Sequence, residues 1–160
     1  MTGVQTCTLP ICIRLARALA AAGGVRAAID LSDGLAGDLA HLCEASDVGA
    51  TLEEARLPAS EPLREAARLL AAAPGRERSA FPAGEAALLT QLRLSASDDY
   101  ELLLAIDPAA WPGISAAAER AGVPLTAIGE ASAARGMRLR DAGGIARPLE
   151  AGGWDHFAWP

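Results

Sequence analysis

The chain has 160 residues, 51% of them hydrophobic, with 20 acidic against 14 basic side chains and a formal net charge of −6. That length supports one domain with its own core, and the acidic balance removes the sequence-independent attraction to nucleic-acid phosphate. Every basic side chain is Arg, so the chain carries neither a Walker phosphate loop, whose Lys reaches the terminal phosphates, nor a lysine for Schiff-base chemistry.

The first dozen residues, MTGVQTCTLPIC, lack helical periodicity and the regions of a secretory signal. They look like the in-frame translation of a sequencing-library adapter, so residues 1–12 are set aside and 13–160 are taken as the domain. The alternative is a genuine strand, or a metal clip through Cys7 and Cys12, although two Cys without a second pair make a poor zinc site. Three Cys in all, without a regular framework, point to a reducing cytoplasm rather than a disulfide scaffold. Arg17 interrupts the stretch Leu15–Ala22, and no apolar run approaches the ~20 residues of a membrane-spanning helix.

Ile13, Leu15, Ala16, Leu19 and Ala20 recur at helical spacing until Gly23-Gly24. Val25–Leu31 alternates as a strand does, with Ala27, Ile29 and Leu31 on one face. After a turn at Ser32-Asp33-Gly34, Leu35, Leu39 and Leu42 predict a helix over 33–45 with Asp38 and Glu44 off its buried stripe, capped by Ser32 or Asp33. A strand over 48–54 and a helix over 61–72 follow, with Leu63, Ala67 and Leu70 on one face of the helix. Next come a surface connection over 74–82 and a short helix over 85–92. The nearly continuous apolar run Tyr100–Ile106 predicts a strand buried on both faces. A helix near 114–121 and strands near 125–128, 137–140 and 145–147 complete the order, the last two joined at Gly143-Gly144. Strands alternating with helices make this an α/β layered domain with a mixed sheet.

Three segments carry chemistry. In DLSDG, Asp30 and Ser32 lie two apart at a strand end and Asp33 follows at a helix entrance. Two carboxylates and a hydroxyl near free helix N–H groups suit Mg²⁺ bridged to a polyphosphate; the bland alternative is a helix cap and a strand end. Asp98-Asp99-Tyr100-Glu101 places adjacent carboxylates at the mouth of a buried strand, next to a cation, a polar ligand or a solvated loop. GGWDHF, residues 152–157, offers aromatics either for stacking on a flat ligand or for covering the core. His41 has no companion ligand at suitable spacing, Cys43 reads as buried and inert, and no Ser has a nucleophile elbow around it.

Taken in order, AAIDLSDGLAGDLAHLCEAS, SDDYELLLAI, GVPLTAIGE and GGWDHF resemble the carboxy-terminal half of thiamine-monophosphate kinases, in a superfamily with aminoimidazole ribonucleotide synthetase. The resemblance implies an α/β domain like the carboxy-terminal domain of those proteins and transfer of a phosphoryl group from ATP to thiamine monophosphate. It implies Asp30 and Asp33 as Mg²⁺ ligands, Ser32 as an ATP contact, and Asp98 and Trp154 as contacts to the substrate. Ala96 and Ser97 stand where the family usually has two glycines, and Asp98 is one methylene shorter than the usual Glu. The family's amino-terminal domain, with most of its Mg²⁺ ligands and its dimer interface, has no counterpart in these residues. The expectation is therefore a cytoplasmic kinase part, inactive alone, whose full-length form is a homodimer; the alternatives are another ATP-using member of the same superfamily, or a non-catalytic module that binds nucleotide or a partner protein.

Overall fold

The computed structural model describes residues 9–73, 82–95 and 101–152. Helix α1 (Leu9–Ala22) and strand β1 (Val25–Leu31) are followed by α2 (Leu35–Ser46), β2 (Gly49–Glu53), a 3-10 turn at Glu54–Arg56 and α3 (Glu61–Ala72). Then come α4 (Glu85–Leu94), β3 (Glu101–Ile106), a 3-10 turn at Pro108–Ala110 and α5 (Trp111–Ala121). The strands β4 (Gly129–Ser132), β5 (Gly136–Arg140) and β6 (Ala146–Pro148) close the order.

Among the described residues the strands form two sheets. β1 and β3 pair antiparallel, with Leu31 opposite Glu101, Val25 opposite Ile106 and a register shift between Val25 and Ala27. The second sheet runs β4-β2-β5-β6, in which β2 is antiparallel to β4 and parallel to β5, and β6 is antiparallel to β5. The α/β architecture with a mixed sheet is the one the alternation of elements predicts.

The layers follow from which side chains are apolar. Leu15 and Leu19 of α1 and Ile114 and Ala118 of α5 meet Leu104 and Ile106 on one face of β3. Leu35, Leu39 and Leu42 of α2 join Leu103 on its other face, together with Leu52 of β2 and Leu139 of β5. Neighbouring residues Leu103 and Leu104 thus enter different cores, as a strand covered on both sides requires. α2 is the central element, and each of its buried leucines contributes about 1.5–3 kcal/mol by leaving water. β1 is buried on one face only: Ala27, Ile29 and Leu31 turn inward, while Arg26, Ala28 and Asp30 are exposed.

Four boundaries differ from expectation. α1 begins at Leu9, inside the segment set aside above, and its early Pro10 sits where a helix needs no N–H donor. α5 begins at Trp111 rather than near Ile114, again with proline in its first turn. α2 begins after Gly34, not at Asp33. The strand expected over 125–128 instead occupies Gly129–Ser132. Ile128 is fully buried and its carbonyl accepts from the Glu53 N–H at 2.8 Å, so the apolar run is the anchor of an edge strand rather than the strand itself. The expected connection over 74–82 lies, except for Pro82, outside the described residues.

Candidate functional site

The DLSDG segment is the junction between β1 and α2. Asp30 points outward at the strand end, opposite Leu102, and Leu31 lies opposite Glu101. The register therefore brings the first chemical segment alongside the start of β3, where the second one enters. Ser32 and Asp33 form a half-buried bend, and Gly34 follows at φ 100° and ψ 153°, a conformation open in practice to glycine alone.

The helix cap expected from Ser32 or Asp33 is not formed; Gly34 occupies the cap position without a side-chain acceptor. Asp38, in the first turn of α2, reaches backwards instead. Its Oδ2 accepts from the backbone N–H of Ser32 at 3.0 Å and of Asp33 at 3.1 Å. Asp38 is 2% exposed, so its expected place off the buried stripe is also corrected. The signal was in the spacing: Asp38 lies three residues after Leu35 and four before Leu42, on their face of the helix. Two N–H groups of the bend before the helix are thus taken by a side chain of the same chain.

Burial raises the pKa of the Asp38 carboxyl, the two N–H groups lower it, and the negative charges of Asp33 and Asp30 raise it again. The charges of Asp33 and Asp30 thus both bear on Asp38 at this junction, and like charges drawn together are relieved by a cation. The donors are hard oxygens, of the kind Mg²⁺ takes one or two at a time and completes with water and phosphate. Among the described residues no group of three or more His, Cys, Asp or Glu is placed to hold a metal. The described residues alone thus form no closed metal cage at this junction.

The other candidates separate clearly. Glu101, the described end of the second segment, is half-buried beside β1. Asp98 and Trp154 lie outside the described residues. His41 is exposed, whereas Cys43 is 5% exposed with its thiol pKa raised by burial, as inert core packing requires. Arg93 has a structural part: it donates to the carbonyls of Glu54 and Leu57 and to Thr90 Oγ1, fastening α4 to the turn after β2. A cleft of about 510 Å³, lined by Arg26, Leu42, Ser46, Val48 and Asp107 among others, opens at the opposite end of β1 from DLSDG. Among the described residues no helix is long and apolar enough to cross a membrane.

Residues 5–142 match the family described as AIR synthase related protein, C-terminal domain. The chain is 38% identical over 135 residues to the thiamine-monophosphate kinase of Escherichia coli (strain K12), covering 83% of this chain and 36% of that protein. It thus spans about a third of the length of the curated relatives it matches. E. coli HypE, a hydrogenase maturation protein, superposes with a TM-score of 0.66 at 22% identity, covering 90% of this chain and 41% of its own. AaThiL complexed with AMPPCP and TMP superposes with a TM-score of 0.57 at 24% identity, covering 84% of this chain and 34% of its own. At those identities the structural likeness concerns the fold. Family match, sequence relatives and fold agree that the chain belongs to the AIR synthase related proteins, as their C-terminal domain.

Proposed function

We infer that this chain is the carboxy-terminal part of an ATP- and Mg²⁺-dependent thiamine-monophosphate kinase. The observation that carries the reading is the junction itself: Asp30, Ser32 and Asp33 gathered between β1 and α2, in a chain 38% identical over 135 residues to a curated kinase of that name. Asp30 and Asp33 hold Mg²⁺, Ser32 contacts ATP, and Asp98 and Trp154 contact thiamine monophosphate. The full-length protein is a cytoplasmic homodimer, and residues 13–160 form its carboxy-terminal domain.

In the reaction a phosphate oxygen of thiamine monophosphate forms a bond to the γ-phosphorus of ATP. The bond from that phosphorus to the β–γ bridging oxygen breaks, and ADP leaves with the electron pair. Bound Mg²⁺ supplies charge neutralisation on the phosphate oxygens. Such a transfer is mostly positioning, so carboxylates without Lys or a covalent nucleophile suffice. Ligands beyond Asp30 and Asp33 are needed, and the isolated chain is therefore inactive.

The test is Asp33→Asn in a full-length enzyme completed with the remaining part of its relatives' length. Gly34 occupies the cap position, so capping gives no reason for the change to alter the melting temperature without ligand. As a metal ligand Asp33 carries a full charge, and its loss lowers turnover by about a hundredfold or more. Near-normal turnover at limiting Mg²⁺ would sink the metal role.

A further inference from the structure

We propose that Asp38 is a positioning residue for the metal-binding carboxylates, holding the turn that carries Asp33 by capturing the Ser32 and Asp33 backbone N–H groups. This inference rests on the reading of Asp30 and Asp33 as Mg²⁺ ligands and adds a residue outside the DLSDG motif to it. A carboxylate on the core side of a helix costs desolvation that an apolar residue there avoids, and Asp38 is only 2% exposed. Its position is explained by what it binds. One oxygen, Oδ2, receives two successive N–H groups at 3.0 and 3.1 Å, which fixes the peptide planes on either side of the Ser32 α-carbon. With those planes fixed and Gly34 at φ 100°, the backbone that carries the Asp33 side chain has little freedom left.

Asp38 acts through the turn and not as a ligand, since its Oδ2 is occupied by two backbone donors and the residue is buried. An outer partner of this kind sets ligand orientation before a cation arrives, and losing one typically weakens metal binding by about 10–100-fold. Asn at position 38 keeps an acceptor oxygen in the same place, whereas Ala removes it.

The test uses the whole 160-residue chain with Mn²⁺, a paramagnetic cation with the same oxygen preference as Mg²⁺. Amide exchange and proton shifts of Ser32 and Asp33 are followed by NMR, and Mn²⁺ affinity by titration of the broadening at Asp30–Gly34. Asp38→Ala is expected to speed exchange at both amides and to weaken Mn²⁺ by about tenfold or more. Asp38→Asn is expected to keep both amides protected, with their proton shifts moved upfield by the weaker acceptor, and to recover most of the affinity. Unchanged exchange at both amides in Asp38→Ala would overturn the proposal, as would lost protection with undiminished Mn²⁺ affinity. If Asp38→Ala does not fold, Asp38→Asn decides: unmoved Ser32 and Asp33 amide shifts overturn it. Failure of Mn²⁺ to broaden Asp30–Gly34 both in the parent and in the enzyme completed with the remaining part of its relatives' length brings down the metal reading and this inference with it. Binding that Asp33→Asn abolishes and Asp38→Ala spares brings down this inference alone.

Discussion

The two ends of β1 use the same device for opposite purposes. At one end Asp107 accepts from the Ala109 N–H at 3.0 Å and pairs with Arg26 at 2.7 Å, in contact with water. At the other end Asp38, itself buried, accepts two half-buried N–H groups. Arg26 and the Ala109 N–H lower the pKa of Asp107, whereas burial outweighs the donors at Asp38 and raises its pKa. A carboxylate that receives backbone N–H groups is thus an ordinary surface cap where solvent shares the charge, and a conformational constraint where it does not. A cleft of about 510 Å³ opens at the Asp107 end, and its described lining includes none of the DLSDG carboxylates.

The largest expected effect lies at the entrance to β1. A Cβ on Gly24 would stand 2.2 Å from the Ala110 Cβ, at a φ of +86°. Gly24→Ala should therefore lower stability by about 2–4 kcal/mol, seen as a fall in the denaturation midpoint. A midpoint equal to the parent's would mean that the start of β1 can shift away from α5, and that this end is the softer one.

Asp38→Ala comes next. Leaving two half-buried N–H groups without their acceptor should cost about 1 kcal/mol in thermal or urea melts, and Asp38→Asn should recover most of it. A melt of Asp38→Ala indistinguishable from the parent's would put both ends of β1 in the same surface class and break the contrast.

The smallest effect concerns pH at the exposed end. Asp107 has a folded pKa below its unfolded value of about 3.9. Its contribution is present above that unfolded value and is lost as pH falls through the lowered folded one. Asp107→Asn should leave the melting temperature at neutral pH almost unchanged and flatten its acid decline slightly. An acid decline as steep as the parent's would assign that slope to other carboxylates.

Much of the fold is legible because burial has a period. The alternation in Val25–Leu31 predicts β1 and its inward face, and the apolar run ending at Ile106 predicts a strand covered on both sides. Ala67, fully buried on α3, lies on the predicted stripe. The segment Gly129–Ser132 is not legible in that way. Three of its four residues are exposed, and it is a strand because β2 offers a ladder beside it, a property of β2 rather than of its own composition. At the candidate site, the residue types of DLSDG motivate the proposed chemistry, but the cap is misassigned because Ser and Asp are preferred caps and Gly34 needs no side chain to serve. Asp38 escapes notice because a polar residue is placed outside by habit. Its spacing from Leu35 and Leu42 put it inside, and what it binds there depends on a backbone bend that no periodicity encodes.

The reach of Asp38 has a consequence for folding order. Its two hydrogen bonds span five and six residues, whereas closing β1 on β3 joins Leu31 to Glu101 and closing β2 on β5 joins Gly49 to Gly136. Short loops close at small entropic cost and on fast timescales, and long ones do not. The bend from Ser32 to Asp38 can therefore form as α2 forms, before either sheet is assembled. The hydrogen bonds that shape the bend lie within one short stretch of chain, so their span does not depend on the long-range pairing of either sheet.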